Sequence, residues 1–493
     1  MSPLVTPSGR TAEVAGVTVP LDHYIGGTRV ASRETIEVHS PIDGSLLGEI
    51  GRGGRTEVDL AVAAAKQAFP SWAALGPQAR GDILDAFAAR IRERNDEIAA
   101  VETADNGSLL IGNLKRVIKR GAHNVSFFAD WARTLAHPDI EGEETLDHVH
   151  YDPAGVTALI VPWNAPFMLG TWKIGPALAA GNTVVVKPPE WAPLTLSLLG
   201  EIADEVGLPP GVLNIVQGIG EEAGAALVAH PDVKRISFTG SPETGRSIAM
   251  AAAANLTPIS FELGGKSPFV VFADADLDDA ARTICGQFVN AGQVCLAGTR
   301  ILVDETVAAD LLARVMAALP AFPLGDPRDL STRVGPLIHP EHHARVAGFV
   351  ERAIAAGARA LIGGAPSELG ELWFQPTILT DVDQASEVVQ NEVFGPVLTW
   401  QTFATETEAV TLANDTRYGL AAMVYTTDQQ RADRVSALLH AGTVWVNCFF
   451  VRNLAAPFGG DGLSGIGREG GTWSFDFFCD VKNVSVRRNS FNR

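Results

Sequence analysis

One cysteine in this sequence stands where it could do chemistry. Cys295 lies in the stretch GQVCLAGTR, residues 292–300, among small and amide side chains. A cysteine serves as a nucleophile when its pKa is lowered and a substrate can reach the sulfur. Gly292 permits a tight backbone there, and Ala297 and Gly298 leave room. A free cysteine is also a common core residue, so the local sequence leaves both interpretations open.

A carboxylate is the second candidate. Glu262, in PISFELGGKSP, ends an apolar run just before a Gly-Gly turn. A carboxylate at that point lies over the carboxyl edge of a sheet, where general bases tend to sit. A solvated loop glutamate would give the same pattern.

Two further patterns could hold a nucleotide. Lys187 and Glu190, in VVVKPPEWAP, follow a buried run and could both grip a ribose diol; an exposed ion pair is the alternative. Gly240 and Ser241, in FTGSPETGR, open a helix whose free amides suit a pyrophosphate. A simple N-cap at Ser241 explains the same letters.

Two motifs are weaker. Gly218-x-Gly220-x-x-Ala223 is close to the dinucleotide fingerprint, but the acidic residue expected about 20 positions later is missing. The run HPEHH, residues 339–343, looks like a metal cluster but lacks the i, i+4 histidine pair of a zinc helix. We interpret it as a solvated helix start and predict no metal site.

The elements around these residues predict an α/β protein. Residues 57–134 are Ala-rich with helical spacing up to Asn106-Gly107. From residue 156 short β-branched runs alternate with helices, which is typical of βαβ units and a parallel sheet. Two isolated alternating segments, TLDHVHYDP and CDVKNVSVRR, could pair with each other or with another subunit. An exposed strand edge needs covering, so we expect oligomerisation.

Composition excludes several classes. The 493 residues suggest two or three domains, and the net charge of −19 argues against nucleic acid as a partner. Four cysteines are too few for a disulfide framework and indicate a reducing compartment. We see no signal-peptide pattern at the N-terminus and no apolar run long enough to span a bilayer, so we expect a cytoplasmic protein without a membrane partner.

Seven motifs taken in order resemble the aldehyde dehydrogenase superfamily: PWN at 162–164, KPPE at 187–190, FTGS at 238–241, ELGGK at 262–266, GQVC at 292–295, EVFGPV at 392–397 and PFGG…SGIGREGG at 457–471. The resemblance implies a Rossmann-like NAD-binding domain (1–134 and 152–263), an α/β catalytic domain (264–470) and a small β oligomerisation flap (135–151 and 471–493). It also implies a homodimer or homotetramer.

The resemblance further implies a role for each matching residue. Cys295 would attack the aldehyde carbon to give a thiohemiacetal, with Asn164 and the Cys295 amide donating to the oxyanion. Hydride transfer to the nicotinamide would leave a thioester, which water activated by Glu262 would hydrolyse. Lys173 and Glu469 match a proton relay. The implied cofactor contacts are Ile160, Trp163, Lys187, Glu190, Gly220, Gly240, Ser241, Glu392 and Phe394. Because a carboxylate repels a 2′-phosphate, Glu190 favours NAD over NADP.

Within the superfamily, the sequence looks most like the muconic-semialdehyde dehydrogenases of aromatic ring cleavage, including the 5-carboxymethyl-2-hydroxymuconate type. That likeness implies that Arg120 and Arg452 hold a substrate carboxylate, which a guanidinium binds bidentately; an exposed helix position is the alternative for Arg120. Phe449 and Phe450 would lie at the pocket mouth and suit an aromatic or aliphatic aldehyde equally well. Gly462 replaces a lysine that is common in the family.

Three other classes stay open at this point. A catalytically silent binding or structural member would not need Cys295, Glu262 and Asn164 together. A CoA-acylating relative usually lacks the glutamate base. A plain alcohol or hydroxy-acid dehydrogenase would need no thiol.

Overall fold

The computed structural model describes residues 9–488. Its strands are β1 (Thr11–Val14), β2 (Val17–Pro20), β3 (His23–Ile25), β4 (Thr28–Val30), β5 (Thr35–His39), β6 (Leu46–Gly51), β7 (Asp139–Glu141), β8 (Thr145–Pro153), β9 (Val156–Ile160), β10 (Thr183–Lys187), β11 (Leu213–Ile215), β12 (Val233–Gly240), β13 (Ile259–Leu263), β14 (Pro268–Val271), β15 (Arg300–Asp304), β16 (Arg359–Ile362), β17 (Thr377–Thr380), β18 (Val397–Phe403), β19 (Tyr418–Gly419), β20 (Ala421–Tyr425), β21 (Thr443–Val446), β22 (Asp461–Gly462), β23 (Gly465–Ile466) and β24 (Cys479–Arg487).

The α-helices are α1 (Arg55–Ala74), α2 (Pro77–Glu93), α3 (Asn95–Asn106), α4 (Leu110–Gly112), α5 (Ile118–Thr134), α6 (Pro166–Ala179), α7 (Leu194–Glu205), α8 (Ala225–Val228), α9 (Pro242–Ala253), α10 (Leu277–Gly286), α11 (Ala308–Ala318), α12 (Pro340–Ala355), α13 (Glu387–Gln390), α14 (Glu406–Asn414), α15 (Gln429–Leu438) and α16 (Gly471–Phe478). Single π-helical turns at Asn113–Val117 and Gly220–Gly224 lead into α5 and α8. The predicted stop after α3 is confirmed, since Gly107 takes φ 72°.

The first large sheet has eight strands in the order β23-β13-β12-β9-β10-β11-β3-β4. Its central strands run parallel, and β9 and β10 are buried at every position because both faces are covered. Their carboxyl ends meet at one edge, where Lys187 pairs with Ile160 and Glu262 pairs with Thr239. Open parallel sheets bind ligands at that edge.

The second large sheet has seven strands in the order β16-β17-β18-β15-β14-β20-β21, parallel except at β16. Along the chain, the first strand of this sheet is β14, which comes after the Gly-Gly turn that follows Glu262. Cys295 lies on the segment that enters β15. The predicted α/β class with parallel sheets is therefore confirmed.

The two isolated alternating segments pair with each other. β8 and β24 run antiparallel over nine residues, from Cys479 opposite Pro153 to Arg487 opposite Thr145, and β7 adds a third strand. β24 forms an edge of this sheet and is mostly exposed.

Residues 11–51 form six strands that no sequence pattern predicted. β1 with β2 and β5 with β6 form two-stranded antiparallel sheets, and β3 with β4 extends the eight-stranded sheet. The three-domain division stays a prediction, and residues 1–8 and 489–493, which it includes, lie outside the described range. In residues 9–488 we find no helix with the length and apolarity needed to cross a bilayer.

Candidate active site

A strained turn carries Cys295. Asn290, Ala291 and Gly292 take φ values of 58°, 52° and 67°, so three successive residues are left-handed. Only glycine fits at position 292, because a Cβ there would lie 2.1 Å from the Gly395 carbonyl oxygen. The Gln293 side chain fixes the turn by accepting from the Ile338 amide at 3.0 Å and donating to the Pro336 carbonyl at 3.4 Å. The turn thus holds the cysteine in a defined place.

The Cys295 side chain is partly accessible. Burial of the sulfur raises the pKa of the thiol to about 12, and the negative charges of Glu392 and Glu262 act in the same direction. Arg452 opposes them. In the protein alone the thiol is therefore neutral at physiological pH, and a further positive charge is needed to favour the thiolate.

Asn164 is joined to the turn that precedes Cys295. Its Nδ2 donates to the Gln293 carbonyl at 3.0 Å, and Asn290 Nδ2 donates back to the Asn164 carbonyl at 3.4 Å. The loop after β9 and the cysteine turn are therefore fixed to each other, and one Asn164 amide hydrogen is left for another acceptor.

Glu262 is a buried carboxyl group without a partner. Its exposed fraction is 6%, and neither Oε1 nor Oε2 has a hydrogen-bond partner among the described residues. Burial raises its pKa well above the ordinary value, Glu469 raises it further, and Lys173 and two arginines lower it. Gly459 lets its own segment of the chain approach Glu262 closely, since a Cβ at position 459 would lie 3.0 Å from Glu262 Oε1.

A second buried carboxylate, Glu469, accepts hydrogen bonds from three side chains. Glu469 accepts from Trp172 Nε1 at 2.5 Å and from Lys173 Nζ and Ser237 Oγ at 3.2 Å each. Lys173 also donates to Ser237 Oγ at 2.8 Å. We call these four side chains the Glu469 network. It joins α6, β12 and the segment before α16.

Two arginines, Arg452 and Arg120, lie close enough for their charges to interact. The Arg452 guanidinium lies 3.6 Å from the ring centre of Phe458 and 4.9 Å from that of Trp172. Its Nη2 is buried without a partner in the described chain. Burial, together with repulsion from Arg120, lowers the Arg452 pKa to about 10. These contacts leave the guanidinium fork unpaired.

Arg120 is half-buried, unlike its exposed neighbour Lys119. It donates through Nε to Asn124 at 3.0 Å, and burial lowers its pKa. Within residues 9–488 neither Arg120 nor Arg452 forms an ion pair. Phe450, with φ 58° and 42% exposed, packs on Phe449 at the outer rim.

The opposite side of the site holds the residues expected to bind the cofactor. Lys187 Nζ and Glu190 Oε2 form an ion pair at 2.5 Å beside β10, and Ile160 pairs with Lys187 across the strands. Space is open above Gly220, where an added Cβ would meet no atom within 4 Å, whereas a Cβ on Gly240 would lie 2.3 Å from the Phe238 ring. Ser241 caps α9 by accepting from the Thr244 amide at 3.2 Å, so its N-cap interpretation holds.

Glu392 and Phe394 close this side. Glu392 Oε1 accepts from the Gly265 amide at 3.0 Å, and burial raises the Glu392 pKa to about 7. A Cβ on Gly264 would lie 1.9 Å from the other oxygen, so glycine is required beneath the carboxyl group. Phe394 takes φ 59° and packs edge-to-face on Trp163 with ring centres 5.2 Å apart.

The prediction for the HPEHH run is confirmed at its start and wrong at His342. α12 begins at Pro340 with His339 as its N-cap. His342, however, is buried and hydrogen-bonded through Nε2 to the Phe394 carbonyl at 2.7 Å, and burial lowers its pKa to about 4. Arg345 donates to the carbonyls of Val393 and Glu392 at 2.6 and 2.7 Å. The i, i+3 spacing of His342 and Arg345 places them on one helix face, and this was the sequence signal for their shared contact with residues 392–394. Among residues 9–488 there is no group of side chains that could hold a metal ion.

A family model described as "Aldehyde dehydrogenase family" matches residues 28–484. The chain belongs to the aldehyde dehydrogenase family. It is 42% identical to a 2-hydroxymuconic semialdehyde dehydrogenase of Pseudomonas sp. (strain CF600), over 95% of this chain and 99% of that protein. It is 41% identical to a 2-aminomuconic semialdehyde dehydrogenase of Danio rerio, over 95% and 98%.

Solved structures agree with this membership of the aldehyde dehydrogenase family. The chain superimposes on HpcC from Thermus thermophilus with a TM-score of 0.93 at 42% identity, covering 98% of each chain. It matches the P. syringae AldA indole-3-acetaldehyde dehydrogenase, solved with NAD+ and IAA, with a TM-score of 0.93 at 36% identity over 96% and 97%. The protein is thus an enzyme that oxidises a small-molecule aldehyde to an acid, which argues against a silent member and a plain alcohol dehydrogenase.

The residues present fit a dinucleotide. The start of α9 at Ser241 after β12, the Lys187–Glu190 pair after β10 and the open space above Gly220 after β11 lie in that order along the carboxyl edge of the eight-stranded sheet. Free amides at a helix start suit a pyrophosphate, and a lysine–glutamate pair suits a ribose diol.

Proposed function

We propose that this aldehyde dehydrogenase uses NAD to oxidise an aldehyde that also carries a carboxylate, as the semialdehydes of aromatic ring cleavage do. One observation carries the proposal: Arg452 is half-buried, its Nη2 is buried without a hydrogen-bond partner among residues 9–488, and the positive charge of Arg120 is close enough to lower its pKa. Two neighbouring, half-buried cations that form no ion pair among residues 9–488 are unfavourable. A substrate carboxylate would supply the missing partner to both, in the bidentate geometry that arginine favours.

The catalytic step is proposed at Cys295. After the thiol has given its proton to water, the Cys295 sulfur forms a bond to the aldehyde carbon, and the electron pair of the C=O π bond moves to the oxygen, which takes up the negative charge. The free Asn164 amide hydrogen and the Cys295 backbone N–H would donate to that oxygen. Removing one such donor typically raises a barrier by about 2.7–4 kcal/mol. When bound, the oxidised nicotinamide supplies the hydride acceptor and a positive charge that favours the thiolate.

Glu262 is the proposed general base for hydrolysis of the thioester. Its carboxylate takes a proton from water while the water oxygen bonds to the acyl carbon, and the C–S bond then breaks. The absence of any fixed partner for Glu262 in the described chain supports this role, because both oxygens are available to water. The Glu469 network lies near enough to raise the Glu262 pKa, and we propose that Lys173 and Glu469 carry the proton away. A glutamate base favours hydrolysis over CoA acylation.

For the cofactor we propose Lys187 and Glu190 on the adenosine ribose and Ser241 with the α9 amides on the pyrophosphate. Trp163 would add a contact to the ribose and pyrophosphate, Glu392 and Phe394 would contact the nicotinamide-ribose end, and Ile160, Gly220 and Gly240 would line the cleft. We prefer NAD because Glu190 would repel a 2′-phosphate. The similar solved structures include two NAD+ complexes and an NADP-dependent enzyme of E. coli.

The test is a substrate panel in wild type and two variants. We expect kcat/KM for 2-hydroxymuconic semialdehyde to exceed the values for benzaldehyde and hexanal, with NAD preferred to NADP. Arg452→Ala and Arg120→Ala should lower kcat/KM for the acidic substrate about 10- to 100-fold, the range of a lost charged hydrogen bond. The neutral substrates should change little. Arg116→Ala, an exposed arginine one turn before Arg120, is the matched control.

A broad-specificity enzyme for aromatic or aliphatic aldehydes is the second candidate. The aromatic rim of Trp445, Phe449 and Phe450 favours it. Equal losses on acidic and neutral substrates in Arg452→Ala would select this candidate and reject the carboxylate proposal.

We also propose a homodimer or homotetramer in the cytoplasm. The exposed edge strand β24 presents Val481 and Val484, 54% and 38% exposed. Light scattering of the purified protein tests assembly; a monomer at all concentrations would contradict it.

A further inference from the structure

Two aromatic contacts join the walls of the proposed cofactor cleft. One wall is formed by the loops after β9 and β10, which carry Trp163 and Trp191. The other is formed by the start of α12, which carries His339 and His342, and by the loop at Phe394. The first wall belongs to the eight-stranded sheet and the second leads into the seven-stranded sheet.

The inner contact is fastened by hydrogen bonds. Trp163 packs against His342 and Phe394, with ring centres 5.3 and 5.2 Å apart. The His342 ring bonds to the Phe394 carbonyl, and Arg345 holds the two preceding carbonyls. The inner contact is therefore a fixed part of the site.

Between the two walls the outer contact consists of two stacked rings, and within its own wall Trp191 also lies against Trp163 with ring centres 6.0 Å apart. Trp191 and His339 lie 4.4 Å apart with their planes within 5° of parallel. Both side chains are half-exposed, and in the described chain no hydrogen bond ties the Trp191 ring. His339 accepts from the Glu341 amide through Nδ1 at 3.3 Å, so only the helix cap orients it. A contact of this kind can open at small cost.

We propose that the Trp191–His339 stack is a latch across the cofactor cleft, which must open before the adenosine half of the dinucleotide can leave. Trp191 directly follows Glu190, the proposed ribose contact, so the latch lies at that end of the cleft. The inference rests on the proposed cofactor site. It gives the HPEHH run a role unconnected with metal: the first histidine closes the cleft and the second holds the Phe394 loop.

Two matched variants distinguish the stacking of the His339 ring from the role of His339 as the N-cap of α12. His339→Asn keeps a side-chain acceptor at the N-cap and removes the ring. His339→Phe keeps a ring and removes the acceptor. Release of NADH is followed by stopped-flow fluorescence, mixing the enzyme–NADH complex with excess NAD+. The latch predicts release about 3- to 10-fold faster in His339→Asn, the scale of one lost aromatic pair, and near the wild-type rate in His339→Phe.

A capping role alone predicts the reverse order and would overturn the latch. Trp191→Leu should speed release as His339→Asn does, and the double variant should be no faster than either, because both remove one contact. His343→Ala is the control, since that ring packs against Phe374 outside the cleft. If wild type binds NADH but His339→Asn and Trp191→Leu release it at the wild-type rate, the latch alone is wrong. If wild type fails to bind NADH, the proposed function is wrong as well.

Discussion

Two neighbouring regions bury charge in opposite ways. In the Glu469 network the carboxylate accepts from Trp172, Lys173 and Ser237, and the lysine has a counter-charge. Around Cys295, Glu262 has no partner in the described chain and Arg452 has an unpartnered Nη2. A buried polar group without a partner costs free energy. The contrast teaches that the hydrogen bonds of the network stabilise the fold and position Lys173 and Glu469 for the proposed proton transfer, whereas the second region keeps groups available for substrate and water.

The same contrast holds between two arginines, Arg300, which is buried, and Arg452, which is half-buried. Arg300 donates to the carbonyls of Lys266, Leu412 and Ala413 at 2.6–2.8 Å. Arg452 has aromatic rings on its faces, and its Nη2 has no hydrogen-bond partner within residues 9–488. If the comparison is right, changes in the paired region reduce stability and changes in the unpaired region reduce turnover.

The largest effect is expected at the nucleophile. Cys295→Ala should lower kcat by about 10⁴-fold or more, because the covalent route is lost. Its thermal midpoint should stay close to that of wild type. Cys448→Ala, another partly accessible cysteine, is the control and should keep full activity. Dehydrogenase activity that survives in Cys295→Ala would break the comparison at its centre.

Glu469→Gln should next reduce the free energy of unfolding by about 3–5 kcal/mol, because Lys173 would be left as a buried charge without its partner. Urea denaturation measures the change. Glu469→Gln should also change the pH dependence of activity, by a smaller amount. Because the Glu469 charge raises the Glu262 pKa, removing that charge should shift the acidic limb of the kcat–pH profile to lower pH. Unchanged stability would contradict the role assigned to the network.

Glu262→Gln should lower kcat by about 10²- to 10³-fold with little change in stability. The Glu262 pKa is raised, and only the ionised form accepts a proton, so the kcat of wild type should rise with pH. The glutamine variant has no such group and should lose this dependence. A wild-type pH profile retained in Glu262→Gln would show that another group is the base.

The smallest expected effect is the difference in the free energy of unfolding between variants of Arg452 and Arg300. Arg452→Met should change the free energy of unfolding by less than about 1 kcal/mol, since no hydrogen bond of the fold is lost. Arg300→Met should cost at least about 2 kcal/mol, because three carbonyls lose a charged donor. Similar losses in both variants would remove the distinction between paired and unpaired buried charge.

Much of the fold could be predicted from local pattern. The buried β-branched runs that became β9 and β10 and the Gly107 stop after α3 were readable because each depends on a few neighbouring residues. The strands of residues 11–51 were not, since they are short and are stabilised by distant partners, as β3 is by β11. From the sequence, β8 and β24 could have paired with each other or with another subunit, and only the structure shows that they pair with each other.

The site divides in the same way. Motifs indicated Cys295, Glu262 and Asn164, but the sequence could not show that Glu262 has no hydrogen-bond partner in the described chain while Glu469 has three, because both are glutamates that come shortly before a Gly-Gly pair. The prediction for His342 is wrong for a related reason: its burial follows from packing against Trp163 and Phe394, which come from two other parts of the chain.

The most direct test of the account is mass spectrometry of the protein quenched during turnover of Glu262→Gln with NAD and an aldehyde. We expect an acyl group on Cys295 that accumulates in this variant, with less in wild type and none in Cys295→Ala. Turnover without any acyl group on Cys295 would contradict the covalent mechanism and the role of the unpaired region.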